Sequence, residues 1–73
     1  MPFTPALLND LFTYHPPEGD DPTHYTAIRS AARVFAQTLV DHTPACADQS
    51  AAMRKLRECV MTANAAIALK GRG

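Results

Sequence analysis

Apolar residues recur along two stretches of the chain at alternating spacings of three and four. In the first stretch they are Tyr25, Ile28, Ala32, Phe35 and Leu39. In the second they are Met53, Leu56, Val60, Ala63 and Ile67, with Ala52, Cys59 and Ala66 widening the same face. This spacing lines one side of a helix, and no two-residue alternation competes with it. The first stripe predicts a helix over about 22–41, opened by Asp21 as N-cap and Pro22 at the first helical position. Such a helix is roughly 28 Å long at 1.5 Å per residue. The segment "HTPACA" ends it, because Pro44 disfavours helical geometry at Thr43, and a turn is expected over 42–46. The second helix is expected from near Ala47 to about Leu69, with Lys70 in its last turn, where the helix dipole favours a cation, and Gly71 as the stop. Two stripes joined by a short turn make an antiparallel helical hairpin. The alanines allow the two helices to approach closely.

Ahead of the hairpin, "TPALLNDLF" offers Thr4 as N-cap, Pro5 at the first helical position and the apolar residues Leu7, Leu8 and Leu11. It predicts a helix over about 5–11, too short to be stable without tertiary support. Between the two lies "FTYHPPEGDDPTHY", with a loop expected over 12–21, since Pro16, Pro17 and Gly19 forbid regular structure. Tyr14 and His15 complete neither stripe. An aromatic ring and an imidazole placed in such a loop either plug a core from outside or meet a ligand. The expected architecture is thus one all-α domain over 1–73: a short N-terminal helix, a proline-rich loop and a long helical hairpin.

A chain of 73 residues forms one domain at most. It buries only roughly 60% of its unfolded surface, and such small domains need disulfides, a metal or partners as reinforcement. The two cysteines, Cys46 and Cys59, come with no secretion signal and are expected to be small buried apolar residues rather than a disulfide. His15, His24 and His42 have no CxxC or HExxH pattern around them, so no metal is expected. Self-association is the remaining source of stability. The formal net charge is zero, which leaves no global basic field for duplex nucleic acid. No apolar run is long enough for a membrane span, and the protein reads as soluble and intracellular.

Local charge carries what remains. Arg29 and Arg33 stand one turn apart on the flank of the first stripe, as either a solvated basic edge or an anion site, since guanidinium matches phosphate bidentately. Arg54, Lys55 and Arg57, with Glu58 among them, read as a solvated face. Lys70 and Arg72 are dipole complements or a second anion-binding cluster. Asn64, a poor helix former among alanines, either hydrogen-bonds at a helix crossing or touches a ligand. Catalysis has little to work with. Glu18, Asp20 and Asp21 look solvated, Ser30 and Ser50 have no histidine beside them in sequence, and there is no phosphate-cradling glycine loop. A binding protein without a cofactor is expected rather than an enzyme.

"TYHPP", then "YTAIRSAARVFA", then a proline-containing turn and "MRKLRECVMTANAAIA" resemble the small bacteriophage anti-CBASS proteins. These are sponges that sequester cyclic oligonucleotide signals of bacterial defence. The resemblance runs from about Phe12 to Lys70. It implies a helical protomer, a homohexamer, and binding without cleavage in the cytoplasm of an infected bacterium. It also implies pockets for cyclic dinucleotides between paired protomers and for cyclic trinucleotides where three protomers meet, an arrangement that a closed six-subunit symmetry accommodates. Tyr14 matches the loop tyrosine that stacks on a base, and Arg29 falls where the family carries a basic residue against the phosphates. His15 and Pro16 belong to the same loop signature, and Arg33 is assigned to the same pocket. At the end of the chain Leu69 stands where the family tends to place an arginine, so the trinucleotide role falls to Lys70, with Asn64 nearby. The competing expectation is a helical-hairpin oligomerisation or protein-interaction module with no nucleotide ligand. A small duplex-DNA-binding protein is a third reading, which the zero net charge disfavours.

Overall fold

The computed structural model describes residues 4–14 and 16–73. It is all-helical, with α1 at Pro5–Leu11, α2 at Asp21–His42 and α3 at Ala47–Ala68, and there is no strand among the described residues. α1 starts as its sequence dictates: Thr4 is extended, its hydroxyl accepts from the Leu7 amide at 3.1 Å, and Pro5 follows. α2 begins one residue before the expected position. Asp20 is its N-cap without a side-chain cap, and Asp21 is the first helical residue. The Asp21 carboxylate instead accepts the Glu18 amide at 3.0 Å, while the Asp21 amide donates to the Glu18 carbonyl at 2.9 Å. Gly19, at φ +51, makes that reciprocal turn possible.

α2 and α3, each 22 residues, pack on one another as the hairpin; α1 packs along neither of them. The turn is pinned by Gln49, whose side-chain amide donates to the Thr43 carbonyl at 3.2 Å and to its hydroxyl at 3.1 Å. Most stripe positions are half-buried against the partner helix: Tyr25, Ile28, Ala32 and Leu39 on α2, and Met53, Leu56, Val60, Ala63 and Ile67 on α3. Phe35 is not among them. It is 55% exposed, and Ala36 takes its place at the seam. Alanines there bring the helices too close for a phenylalanine, which is displaced to the margin.

The widening of the α3 face also differs from expectation. Ala52 is half-buried, but Cys59 and Ala66 are exposed, and the face extends the other way through Asn64 and Ala68. Both cysteines are free and exposed, so neither is the buried apolar residue the sequence suggested. Cys46 sits at the N-cap of α3, in the turn, and Cys59 on the outer side of the same helix.

α3 stops at Ala68, short of the expected end, in a left-handed reversal. The Gly71 amide donates to the Ala66 carbonyl at 3.0 Å and the Lys70 amide to the Ile67 carbonyl at 3.1 Å. This is the pairing of a Schellman motif, whose left-handed residue is usually glycine. Here that residue is Lys70, at φ 50, and Gly71 follows at φ 82. The tail thereby folds back over Leu69, which is 6% exposed and is the one buried residue among the described residues.

This hairpin is far from globular. Its radius of gyration is 15.4 Å, whereas a compact domain of this length has about 11 Å. Its accessible surface is 5700 Å², against about 4,400 Å² for a folded monomer of its mass. Val34, Phe35, Val40 and Met61 are large apolar side chains left facing outward on the hairpin.

Candidate nucleotide-binding site

The residues singled out from sequence fall into three places. Tyr14 lies in the loop between α1 and α2, 80% exposed. Phe12, two residues earlier at the C-cap of α1, is 86% exposed. Pro16 continues the exposed loop, and His15 lies outside the described residues. The loop thus presents aromatic rings to solvent just ahead of two prolines whose own backbones are restricted.

Arg29 and Arg33 extend from α2 one turn apart, both exposed. An Arg29 Nη donates to the Thr26 hydroxyl at 3.5 Å, which leaves the rest of its guanidinium turned outward. Both arginines border an open groove of about 370 Å³ whose floor is Ala32, Ala36, Met53, Leu56 and Val60. A third guanidinium, Arg57 of α3, borders the same groove. Arg57 was expected to be part of a solvated face. Its position directly after Leu56 of the stripe was the available signal, because that places it on the flank facing α2. A neighbouring open groove of about 580 Å³, between Arg33, Val34 and Val40, continues this surface toward the turn. Three cations over an apolar floor suit a ligand that combines negative charge with flat, weakly hydrated surface.

The third place is the end of the chain. Lys70 is held within 3.8 Å of Glu18 and 3.7 Å of Asp21. Arg72 makes a two-pronged bond to Asp10, from Nε to Oδ2 at 2.6 Å and from Nη2 to Oδ1 at 2.9 Å. The hydrogen bond to Asp10 pushes the Arg72 pKa above its ordinary value. Asn64 is half-buried on α3, and its Oδ1 is buried without a hydrogen-bond partner among the described residues. An unmet buried acceptor in that position is costly.

Within one protomer the structure brings Arg29 and Arg33 to one groove, and Tyr14 is not among the residues that border either groove. Lys70 is joined to Glu18 of the loop and to Asp21 at the start of α2 rather than standing free. No group of three or more metal-ligating side chains is found among the described residues, and none of their helices is long and apolar enough to cross a membrane.

A strandless hairpin with outward-facing aromatic rings and guanidinium groups defines a small helical binding module. A family model, the Acb2/Tad1 hairpin domain, matches residues 5–68, and the chain belongs to that family. Its members are the anti-CBASS sponges of the Acb2 type and the related Tad1 anti-Thoeris sponges, so the chain is a sponge-type protein that binds cyclic nucleotide signals. The family is not known as catalytic. Neither a comparison with curated proteins nor one with solved structures finds a significant match.

Proposed function

We propose that this protein sequesters cyclic dinucleotides, and also cyclic trinucleotides, for a bacteriophage in the cytoplasm of its host, and so blunts CBASS-type immunity. The observation that carries the reading is Tyr14: a ring 80% exposed in a proline-framed loop, unused by the hairpin seam. Stacking of such a ring on a nucleobase contributes about 1–3 kcal/mol and tolerates many bases. Arg29 and Arg33 supply charge for the phosphates, with Pro16 and His15 shaping the pocket wall. In this reading the pocket is built by two protomers, the loop of one closing on the groove of the other, in keeping with a groove that Tyr14 of the same protomer does not border.

The same reading accounts for the excess surface and the apolar residues facing outward, which a homohexamer covers. Lys70 and Asn64 take the trinucleotide at a separate pocket. Release of Lys70 from Glu18 and Asp21 accompanies that binding.

The test is recovery of intact ligand. The protein is mixed with cyclic di-AMP, cyclic di-GMP or cyclic GMP–AMP, filtered to remove free nucleotide, heated to unfold it and the supernatant analysed. Intact cyclic nucleotide is expected; linear products overturn sequestration and indicate a phosphodiesterase. The second reading, an oligomerisation module without a nucleotide ligand, draws on the same exposed Val34, Phe35, Val40 and Met61. Calorimetry decides between them: absence of binding to all three nucleotides, with assembly intact, favours that second reading.

A further inference from the structure

We propose that Arg72 is a positioning residue for Tyr14, the main strut of an electrostatic latch that ties the loop to the end of the hairpin. The proposal rests on the reading of Tyr14 as the stacking ring. Tyr14 stands midway between two anchored carboxylates, Asp10 and Glu18, four residues from each. Asp10 takes the two-pronged bond from Arg72 at 2.6 and 2.9 Å, and Glu18 lies 3.8 Å from Lys70. Both cations come from the short tail after α3, and both lie beyond the residues 5–68 that match the family model.

Among the described residues, the polar contacts that join this part of the chain to the tail are those of Arg72 and Lys70. α1 has seven residues and packs along neither long helix, so a bond at its end helps to place it, beside the half-buried Leu7 and Leu11. The Arg72–Asp10 bond spans 62 positions of sequence and joins α1 directly to the tail. The tail reaches α1 because Lys70 and Gly71 both take left-handed backbone, at φ 50 and 82. A lysine in that conformation is disfavoured, and its presence is consistent with a side chain needed at that spot, opposite Glu18 and Asp21. A planar guanidinium fixes both distance and angle to a carboxylate, which a lysine at position 72 would not. Holding both flanks of the loop reduces the ordering that ligand binding must impose on Tyr14.

The experiment uses the full chain with Arg72→Ala, Arg72→Lys and the exchanged pair Asp10→Arg with Arg72→Asp. Amide hydrogen exchange without ligand reads the latch, and calorimetry with cyclic di-AMP, cyclic di-GMP and cyclic GMP–AMP reads the site. Arg72→Ala is expected to speed exchange over residues 5–20 by about tenfold while leaving α2 and α3 protected. It should weaken binding of whichever nucleotide the wild type takes up by about fivefold. The exchanged pair should recover most of both losses, and Arg72→Lys should fall between. If Arg72→Ala disturbs the hairpin itself, the wild type taken from about 0.05 to 0.5 M salt gives the same reading, with faster exchange confined to residues 5–20. Unchanged exchange over 5–20 in every variant and at high salt overturns the latch. Weaker binding with unchanged exchange also overturns it, since Arg72 would then touch the ligand directly. Faster exchange in a protein whose wild type binds none of the three nucleotides supports the latch and overturns the role assigned to Tyr14.

Discussion

The hairpin and the end that carries the loop are held by different forces. Between α2 and α3 the contact is mainly apolar, made of alanines with leucines, isoleucines, Met53 and Val60. At the other end a seven-residue helix and a proline loop are tied down by Arg72–Asp10 and by Lys70 between Glu18 and Asp21. Apolar burial is insensitive to salt and works by area, whereas exposed ion pairs weaken with salt and work by direction. The molecule thus places its least adjustable contact where the fold is made and its most adjustable one beside the ring proposed to meet the ligand.

The comparison breaks most visibly if the seam is attacked. Ile28→Asp puts a charge on the half-buried face of α2 and should cost about 3 kcal/mol or more. In so marginal a chain it should abolish cooperative thermal unfolding followed by circular dichroism, and with it ligand binding. Tyr14→Ala should separate the two regions. Calorimetry should show affinity for cyclic dinucleotide reduced by about 1–3 kcal/mol, with the helical signal and melting temperature unchanged. Loss of both together would mean that Tyr14 belongs to the fold.

Arg29→Ala should reduce affinity by about 1.5–3 kcal/mol, the range for a hydrogen bond to a charged group. Its partial engagement by Thr26 puts it toward the lower end. Arg57→Ala, read by the same calorimetry, tells whether the third guanidinium of the groove shares that role. Lys70→Gly is the finest test. The left-handed backbone at Lys70 costs a non-glycine residue about 1–2 kcal/mol. Its two long ion pairs, with the lysine side chain half exposed, contribute about 0–1 kcal/mol. Relief of the backbone should win, and the melting temperature should rise slightly while trinucleotide binding falls.

What could be read in advance follows the same division. The stripes, the Thr4 and Pro5 start of α1 and the Pro44 break are local or periodic signals, and they specify an all-helical hairpin. The register within the seam was less legible. Spacing alone cannot distinguish Phe35 from Ala36, since adjacent positions on a helix both lie near the stripe; the size of the side chain and the closeness of the helices decide. Cys59 was misplaced for the same reason, as one flank of α3 looks as apolar as the other until the partner helix is present. Arg57 and the Arg72–Asp10 bond depend on contacts between distant parts of the chain, for which the sequence carries no period. Tyr14 is the reverse case: it fits no period, and the structure leaves its ring outside the seam and exposed.

The surface left uncovered by a single protomer has a consequence for dose. Under the proposed hexameric assembly, a protomer gains much of its stability only on meeting others, so the fraction folded and competent rises with a power of the total concentration. Early in synthesis, scattered chains would capture little; past a threshold, capacity would appear abruptly and then track supply. An inhibitor that must outpace a signalling enzyme would then act through the timing of its accumulation as much as through the tightness of its grip.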